Sequence, residues 1–113
     1  MICIDCGDFT MENLGSGISK LTNLQSLAVN LWSCKVDLPG VISLGERISR
    51  MTSLTYLNFV IDENMLFLDW MNPFSKMMAN LKNLKVFSVN EEITDEFRQY
   101  LLKNNPYLVK IVY

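Results

Sequence analysis

The chain has 113 residues, of which half are apolar and 19% are charged, a composition typical of one globular domain and not of a disordered chain. Its net charge of −2 gives no general attraction to nucleic acid or to an anionic membrane, and no apolar run reaches the ~18 residues of a membrane span. A basic signal-peptide start and an Asn-x-Ser/Thr acceptor are both missing, and three cysteines are too few for a disulfide framework, so we expect a cytoplasmic or other intracellular protein.

The first predicted element is a strand around Ile2 and Ile4, whose apolar side chains alternate along the chain. This segment contains a Cys-x-x-Cys motif, Cys3 to Cys6. Redox catalysis places such a pair at a helix amino terminus, and zinc requires further Cys or His ligands, but the chain has no His and only Cys34 besides. We therefore interpret both cysteines as ordinary small apolar residues.

A helix and then a strand are predicted next. Apolar residues over 11–21 are three or four positions apart, as on one face of an α-helix, whereas those over 27–31 alternate by two, as in a strand with one buried face. Ile2 and Ile4 resemble the last positions of such a strand.

The same change of period returns at intervals of 30 residues. "LGSGISKLTNLQSLAVNL" (14–31) aligns with "LGERISRMTSLTYLNFVI" (44–61), and the apolar frame continues into a third copy. A fourth, more closely spaced copy ends the chain with Leu108, Ile111 and Tyr113. The seven apolar columns are Met11, Val41 and Met71; Leu14, Leu44 and Phe74; Ile18, Ile48 and Met78; Leu21, Met51 and Leu81; Leu24, Leu54 and Leu84; Leu27, Leu57 and Phe87; and Val29, Phe59 and Val89.

These copies predict helices near 11–21, 41–51, 73–82 and 95–104, alternating with strands near 24–31, 54–61, 84–90 and 108–113. The helix starts are indicated by Thr10, by Asn72 as a cap with Pro73 at the first helical position, and by Thr94 with the two acids after it. Each unit is a helix followed by a strand, so the strands are expected to be parallel and joined by right-handed crossovers.

A doubly wound α/β sheet would also fit this alternation, but the second face of each strand argues against it. Strands in a doubly wound sheet are covered by helices on both faces and read as continuous apolar runs. Here the residues between the inward ones are largely polar, so one face of the sheet is expected to be open to solvent.

The segments "LQSLAVNLWSCKV" and "LTYLNFVIDENML" resemble Leu-x-x-Leu-x-Leu strands followed by Cys or Asn. Over about residues 11–113 the chain is similar to leucine-rich repeat proteins, closest to the long ribonuclease-inhibitor-like repeats. The resemblance implies a right-handed α/β solenoid, the leucine-rich repeat horseshoe, with the parallel sheet on the concave face and the helices on the convex face. We expect a single domain, 1–113, composed of a partial repeat 1–10 and repeats 11–40, 41–70, 71–94 and 95–113.

In that family a Cys or Asn in the turn after the strand satisfies backbone groups. The resemblance assigns this structural role to Cys34, Asn64 and Thr94, although this column lies two places later than usual. Glu91 and Glu96 also interrupt two apolar columns, so the third turn is expected to differ in shape.

Gly15-Ser16-Gly17 raises the possibility of a phosphate loop. Such a loop follows a strand, but these glycines lie inside the predicted helix, and the second copy keeps only the first of them, as Gly45. We interpret Gly15 and Gly45 as small residues that allow neighbouring helices to pack closely.

No catalytic, cofactor or metal site is expected. A Ser or Cys nucleophile would have no His to act as its base. The acids at 91–92 and 95–96 are more simply a solvated turn and a helix amino terminus, where negative charge complements the helix dipole.

Function is expected to be noncatalytic: a scaffold that binds a protein or peptide, with neither nucleic acid nor membrane as a partner. The alternative is a regulatory or accessory segment of a larger enzyme, for example one attached to a kinase or a ubiquitin-ligase subunit. The sequence that flanks this segment in the natural gene would discriminate between the two.

Partner contacts are expected on the concave face, from strand residues between the inward ones. Trp32 and Tyr56 are the expected anchors, because exposed aromatic residues commonly anchor protein interfaces. Asp62 and Glu92 make one rim acidic, which favours a basic partner. The expected contact residues are Trp32, Tyr56, Asn30, Asn58, Asp62, Ser88, Asn90, Glu92 and Lys110.

Two expectations concern residues 64–74 and the chain ends. Phe67, Leu68 and Trp70 have no core counterparts in the first copy, so they either cover the joint between turns or form a secondary contact patch, which burial of Trp70 would exclude. The ends are expected to pack on further repeats or on another chain, because a solenoid needs polar caps.

Overall fold

The computed structural model describes residues 20, 23–31, 38–61 and 69–113 in full, and the backbone of residues 2–5. From residue 26 onward, strands and helices alternate in the described part of the chain. The strands are β1 (Ile2–Asp5), β2 (Ser26–Asn30), β3 (Tyr56–Val60), β4 (Val86–Val89) and β5 (Lys110–Val112), and the helices are α1 (Leu38–Ser49), α2 (Met71–Met78) and α3 (Asp95–Asn104). The helix predicted over 11–21, with its start at Thr10, lies outside the described residues, apart from Lys20.

All neighbouring strands are parallel, and their order in the sheet is the order along the chain. Ser26 pairs with Tyr56, and Tyr56 pairs with Val86, so the 30-residue interval of the sequence is the register of the sheet. Ile2 pairs with Leu27 and Ile4 pairs with Val29, which confirms the predicted first strand. The protein is a small α/β domain with a parallel sheet.

The core lies between the sheet and the helices. Alternate strand residues such as Leu27, Leu57 and Phe87 are fully buried, and they form one cluster with buried residues of all three helices. The predicted apolar columns of the second and third copies are buried, except that Met71 is half-buried. This agreement follows from the parallel register, which brings residues of one column side by side.

Helix α2 corrects the predicted start at Asn72 and Pro73. It begins at Met71, and Trp70 stands at the N-cap position without a side-chain cap. Pro73 is thus the third residue of the helix and not the first. Any position in the first turn tolerates proline, because those N–H groups have no partner within the helix, so the proline could not fix the exact start.

Trp70 decides between the two alternatives for this segment, because its side chain is only 1% exposed. The indole packs against Phe59, Phe74 and Phe97, with ring centroids 5.5 to 6.2 Å apart. Burial agrees with the first alternative, a side chain that covers the joint between turns, and excludes the secondary contact patch for Trp70. Phe67 and Leu68 lie outside the described residues.

Gly45 packs as its recurrence in the sequence predicts. A Cβ atom at this position would lie 2.8 Å from Met77 Cε and 3.3 Å from Phe74 Cδ2, so α1 and α2 approach closely here. Gly15 and Gly17 lie outside the described residues. For Gly45 the packing interpretation is confirmed.

Helix α3 starts as predicted, with Thr94 as its cap. The Thr94 hydroxyl accepts a hydrogen bond from Phe97 N at 3.1 Å, and Asp95 and Glu96 occupy the first turn, where the helix dipole favours negative charge. We expect Thr94→Ala to lower the free energy of unfolding by about 1 kcal/mol, as measured by urea denaturation. Thr94→Ser, which keeps the hydroxyl, should lose less than half of that, and equal losses in the two variants would contradict the capping role.

Candidate interaction surface

The second face of the sheet, here called the open face, consists of the strand residues that alternate with the core residues. On β2, β3 and β4 they are half-buried, and on β5 they are exposed. These residues are Ser26, Ala28, Asn30, Tyr56, Asn58, Val60, Val86, Ser88, Lys110 and Val112. The polar face predicted from the sequence is therefore present and accessible in the described part of the chain.

The strand register arranges the open face in rows. Ser26, Tyr56, Val86 and Lys110 form one row across four strands, and Ala28, Asn58, Ser88 and Val112 form the next. Neighbouring strands lie about 4.8 Å apart, so the Tyr56 ring stands between two smaller side chains. Tyr56 is thus flanked by Ser26 and Val86, with the amide of Asn58 two residues farther along the same strand.

Most of the predicted contact residues in the described part meet on or beside this face. Tyr56, Asn58 and Ser88 lie near its centre, and Lys110 lies at its β5 edge. Glu92 is exposed beyond the end of β4. Trp32 and Asp62 lie outside the described residues, so Tyr56 is the anchor that can be located.

Asn90 has a structural role that the sequence did not reveal. Its side-chain Oδ1 accepts from Ile61 N at 2.7 Å, and its Nδ2 donates to Ile61 O at 3.1 Å. The amide thus continues the pairing of β3 with β4 beyond Val89. Asn90 remains exposed, but its two bonds to the main chain make it a poorer candidate for partner contact than Asn58.

The turn column that the resemblance suggested is described at Thr94 alone. Thr94 does satisfy a backbone group, but as the cap of α3. Cys34 and Asn64 lie outside the described residues, as does Cys6 of the Cys-x-x-Cys motif, so the expected difference between the turns stays a prediction.

A small cleft of about 220 Å³ lies between the amino-terminal ends of α2 and α3, lined in part by Asp69, Ser75 and Tyr100.

Among the described residues, no group of three or more His, Cys, Asp or Glu side chains could hold a metal ion. Within the same residues, no helix is long and apolar enough to cross a lipid bilayer. The open face presents accessible polar side chains and the aromatic ring of Tyr56, which makes it the strongest candidate surface in the described part of the chain.

Comparison with protein-family models, with curated proteins and with solved structures gave no match to this chain.

Proposed function

We propose that the chain is a leucine-rich repeat protein of the long, ribonuclease-inhibitor-like type and acts as a noncatalytic scaffold that binds a protein or peptide. In this proposal the open face is the concave, binding side of a right-handed solenoid, and the helices form its convex side. The observation that carries the proposal is a parallel sheet packed by helices on one face and bearing polar residues around Tyr56 on the other.

Regular stacking of the units supports the solenoid. The main-chain carbonyl just before β2, β3 and β4 accepts from two N–H groups at the start of the next strand: Gln25 O from Thr55 and Tyr56, Thr55 O from Lys85 and Val86, and Lys85 O from Val109 and Lys110. One unit therefore contacts the next in a repeated way, as in a protein built by stacking equivalent units.

The chemistry of the open face supports peptide or protein binding. Asn58 and Ser88 offer hydrogen-bond donors and acceptors that can pair with main-chain groups of a partner. Tyr56 adds a large, amphipathic side chain of the kind that is enriched at interface centres, where truncation costs about 2 kcal/mol or more. We expect Tyr56 to provide the largest single contribution on this face.

Substitution of Tyr56 tests the proposal. Proteins retained from an extract of the native source by the immobilised chain are compared by mass spectrometry with those retained by Tyr56→Ser. Tyr100→Ser, the same change on the helix side, is the matched control, and circular dichroism verifies that both variants fold.

We expect Tyr56→Ser to lose a defined set of partners by about 30-fold in affinity, which corresponds to about 2 kcal/mol, while Tyr100→Ser retains them. Loss of the same partners by Tyr100→Ser alone, or by neither variant, would overturn the assignment to the open face.

A further inference from the structure

Exposed charges are separated between the two ends of the strands. The entry edge is the set of described residues that precede or begin β2 to β5: 20, 23–25, 50–55, 79–85 and 103–110. Its charged side chains are all basic: Lys20, Arg50, Lys82, Lys85, Lys103 and Lys110. At the exit edge, residues 69–72 and 90–96, the charged side chains of the described part are all acidic: Asp69, Glu91, Glu92, Asp95 and Glu96.

Because the strands are parallel, each set of charges lies along a single edge of the sheet. Helix dipoles explain part of this arrangement, since the helices end at the entry edge. Lys103 lies in the last turn of α3, and Lys82 Nζ donates to Asn104 O at 2.8 Å. Lys85 and Lys110 lie beyond the last helical turn, where the dipole effect has fallen off, so they call for another explanation.

A groove of about 540 Å³ lies at the entry edge beside Lys85. It is lined by Gln25, Ser53, Thr55, Asn83, Lys85 and Tyr107. Two of these residues stabilise the groove from within, because Thr55 Oγ1 donates to Gln25 O at 3.2 Å and Asn83 Nδ2 donates to Thr52 O at 3.0 Å. The ammonium group of Lys85, the hydroxyl of Ser53 and the amide of Gln25 supply hydrogen-bond donors suited to a carboxylate.

We infer that this groove binds an acidic peptide segment of the partner, an inference that rests on the proposed binding role of the open face. Gln25, Thr55 and Lys85 directly precede Ser26, Tyr56 and Val86, so the groove borders the first row of the open face. The partner then lies along the strands with its acidic segment at the entry edge and basic residues toward the exit edge. An extended nucleic acid fits less well, because the acidic exit edge of the same sheet repels a polyanion.

A hexaglutamate peptide serves as the probe, and its binding is followed in the amide spectrum of the ¹⁵N-labelled chain. We expect the peptide to shift Ser53, Thr55, Lys85 and Tyr107, and Lys85→Glu to weaken this binding about fivefold or more, since attraction is replaced by repulsion. Lys76→Glu makes the same charge change at an exposed position of α2 and should leave the affinity within about twofold.

Three results would overturn the inference: equal weakening by both variants, shifts confined to other surfaces, or inorganic phosphate shifting the same amides at lower concentration than the peptide. Each of these leaves the Tyr56 test unaffected. Conversely, retention of all partners by Tyr56→Ser, together with hexaglutamate bound at the groove, would refute the proposed function and not the anion site.

Discussion

Replacement of Phe74 by alanine should lower the free energy of unfolding by about 4 kcal/mol, the largest single effect that we expect on stability. Phe74 is fully buried, and its ring centroid lies 4.8 Å from that of Phe59 and 5.5 Å from that of Trp70. The rings of Phe87 and Phe97 are each 6.5 Å away. Truncation would leave a cavity where α2, α3 and two strands meet.

Urea denaturation followed by circular dichroism measures this loss. Leu102→Ala is the control, because Leu102 is 50% exposed and its truncation should cost less than about 1 kcal/mol. If Phe74→Ala does not fold, Phe74→Leu should still lose about 1–2 kcal/mol. A loss for Phe74→Leu no larger than that for Leu102→Ala would contradict the cluster as the centre of the core.

Asn105→Ala should cost about 2 kcal/mol. The side chain of Asn105 is 1% exposed, and its Nδ2 donates to Met78 O at 3.0 Å and to Leu81 O at 2.9 Å. These bonds join the turn after α3 to the turn after α2. Their loss removes two buried hydrogen bonds, each contributing about 1 kcal/mol.

Asn83→Ala is the matched control for Asn105. Asn83 also donates from Nδ2 to a turn carbonyl, that of Thr52, but its side chain is exposed and water can replace it. We expect a loss of about 0.5 kcal/mol or less. Equal losses for the two asparagines in urea denaturation would show that burial of the amide does not set its contribution.

Much of the fold could be predicted from the sequence because residues 30 positions apart in the repeat are also the residues that pair across neighbouring strands. Residues such as Leu27, Leu57 and Phe87 recur at 30-residue intervals, and parallel strands align them in one buried column. Alternation of core and polar residues on each strand likewise indicated which face would be open.

The missed features depend on contacts between units. Asn105 occupies the position that Met51 and Leu81 hold in the other units. The carbonyl of each of these three residues accepts a hydrogen bond from the N–H of the leucine three positions later. A polar residue at this position is explained by the hydrogen bonds that its amide donates to the turn after α2. The sequence left two alternatives for Trp70 for a related reason, because its burial depends on contacts with Phe59 and Phe97.

The candidate surface was likewise predicted only in part. Tyr56, Asn58 and Ser88 were expected on one face and lie there, because period-two alternation fixes their direction. The bonds of Asn90 to Ile61 depend on where two strands end, which the sequence does not specify. The sequence does show basic residues near each turn that precedes a strand. Only the parallel arrangement of the strands shows that these residues lie together at the entry edge.

In the proposed function, partners bind the open face and not the helix side. A photo-crosslinking amino acid placed at Ser88, on the open face, and separately at Gln99, exposed on α3, tests it most directly. We predict that crosslinks to the partners lost by Tyr56→Ser form from position 88 and are at least tenfold weaker from position 99, because side chains at 88 line the bound partner, whereas those at 99 face solvent. Crosslinks that form from position 99 and not from position 88 would contradict the account.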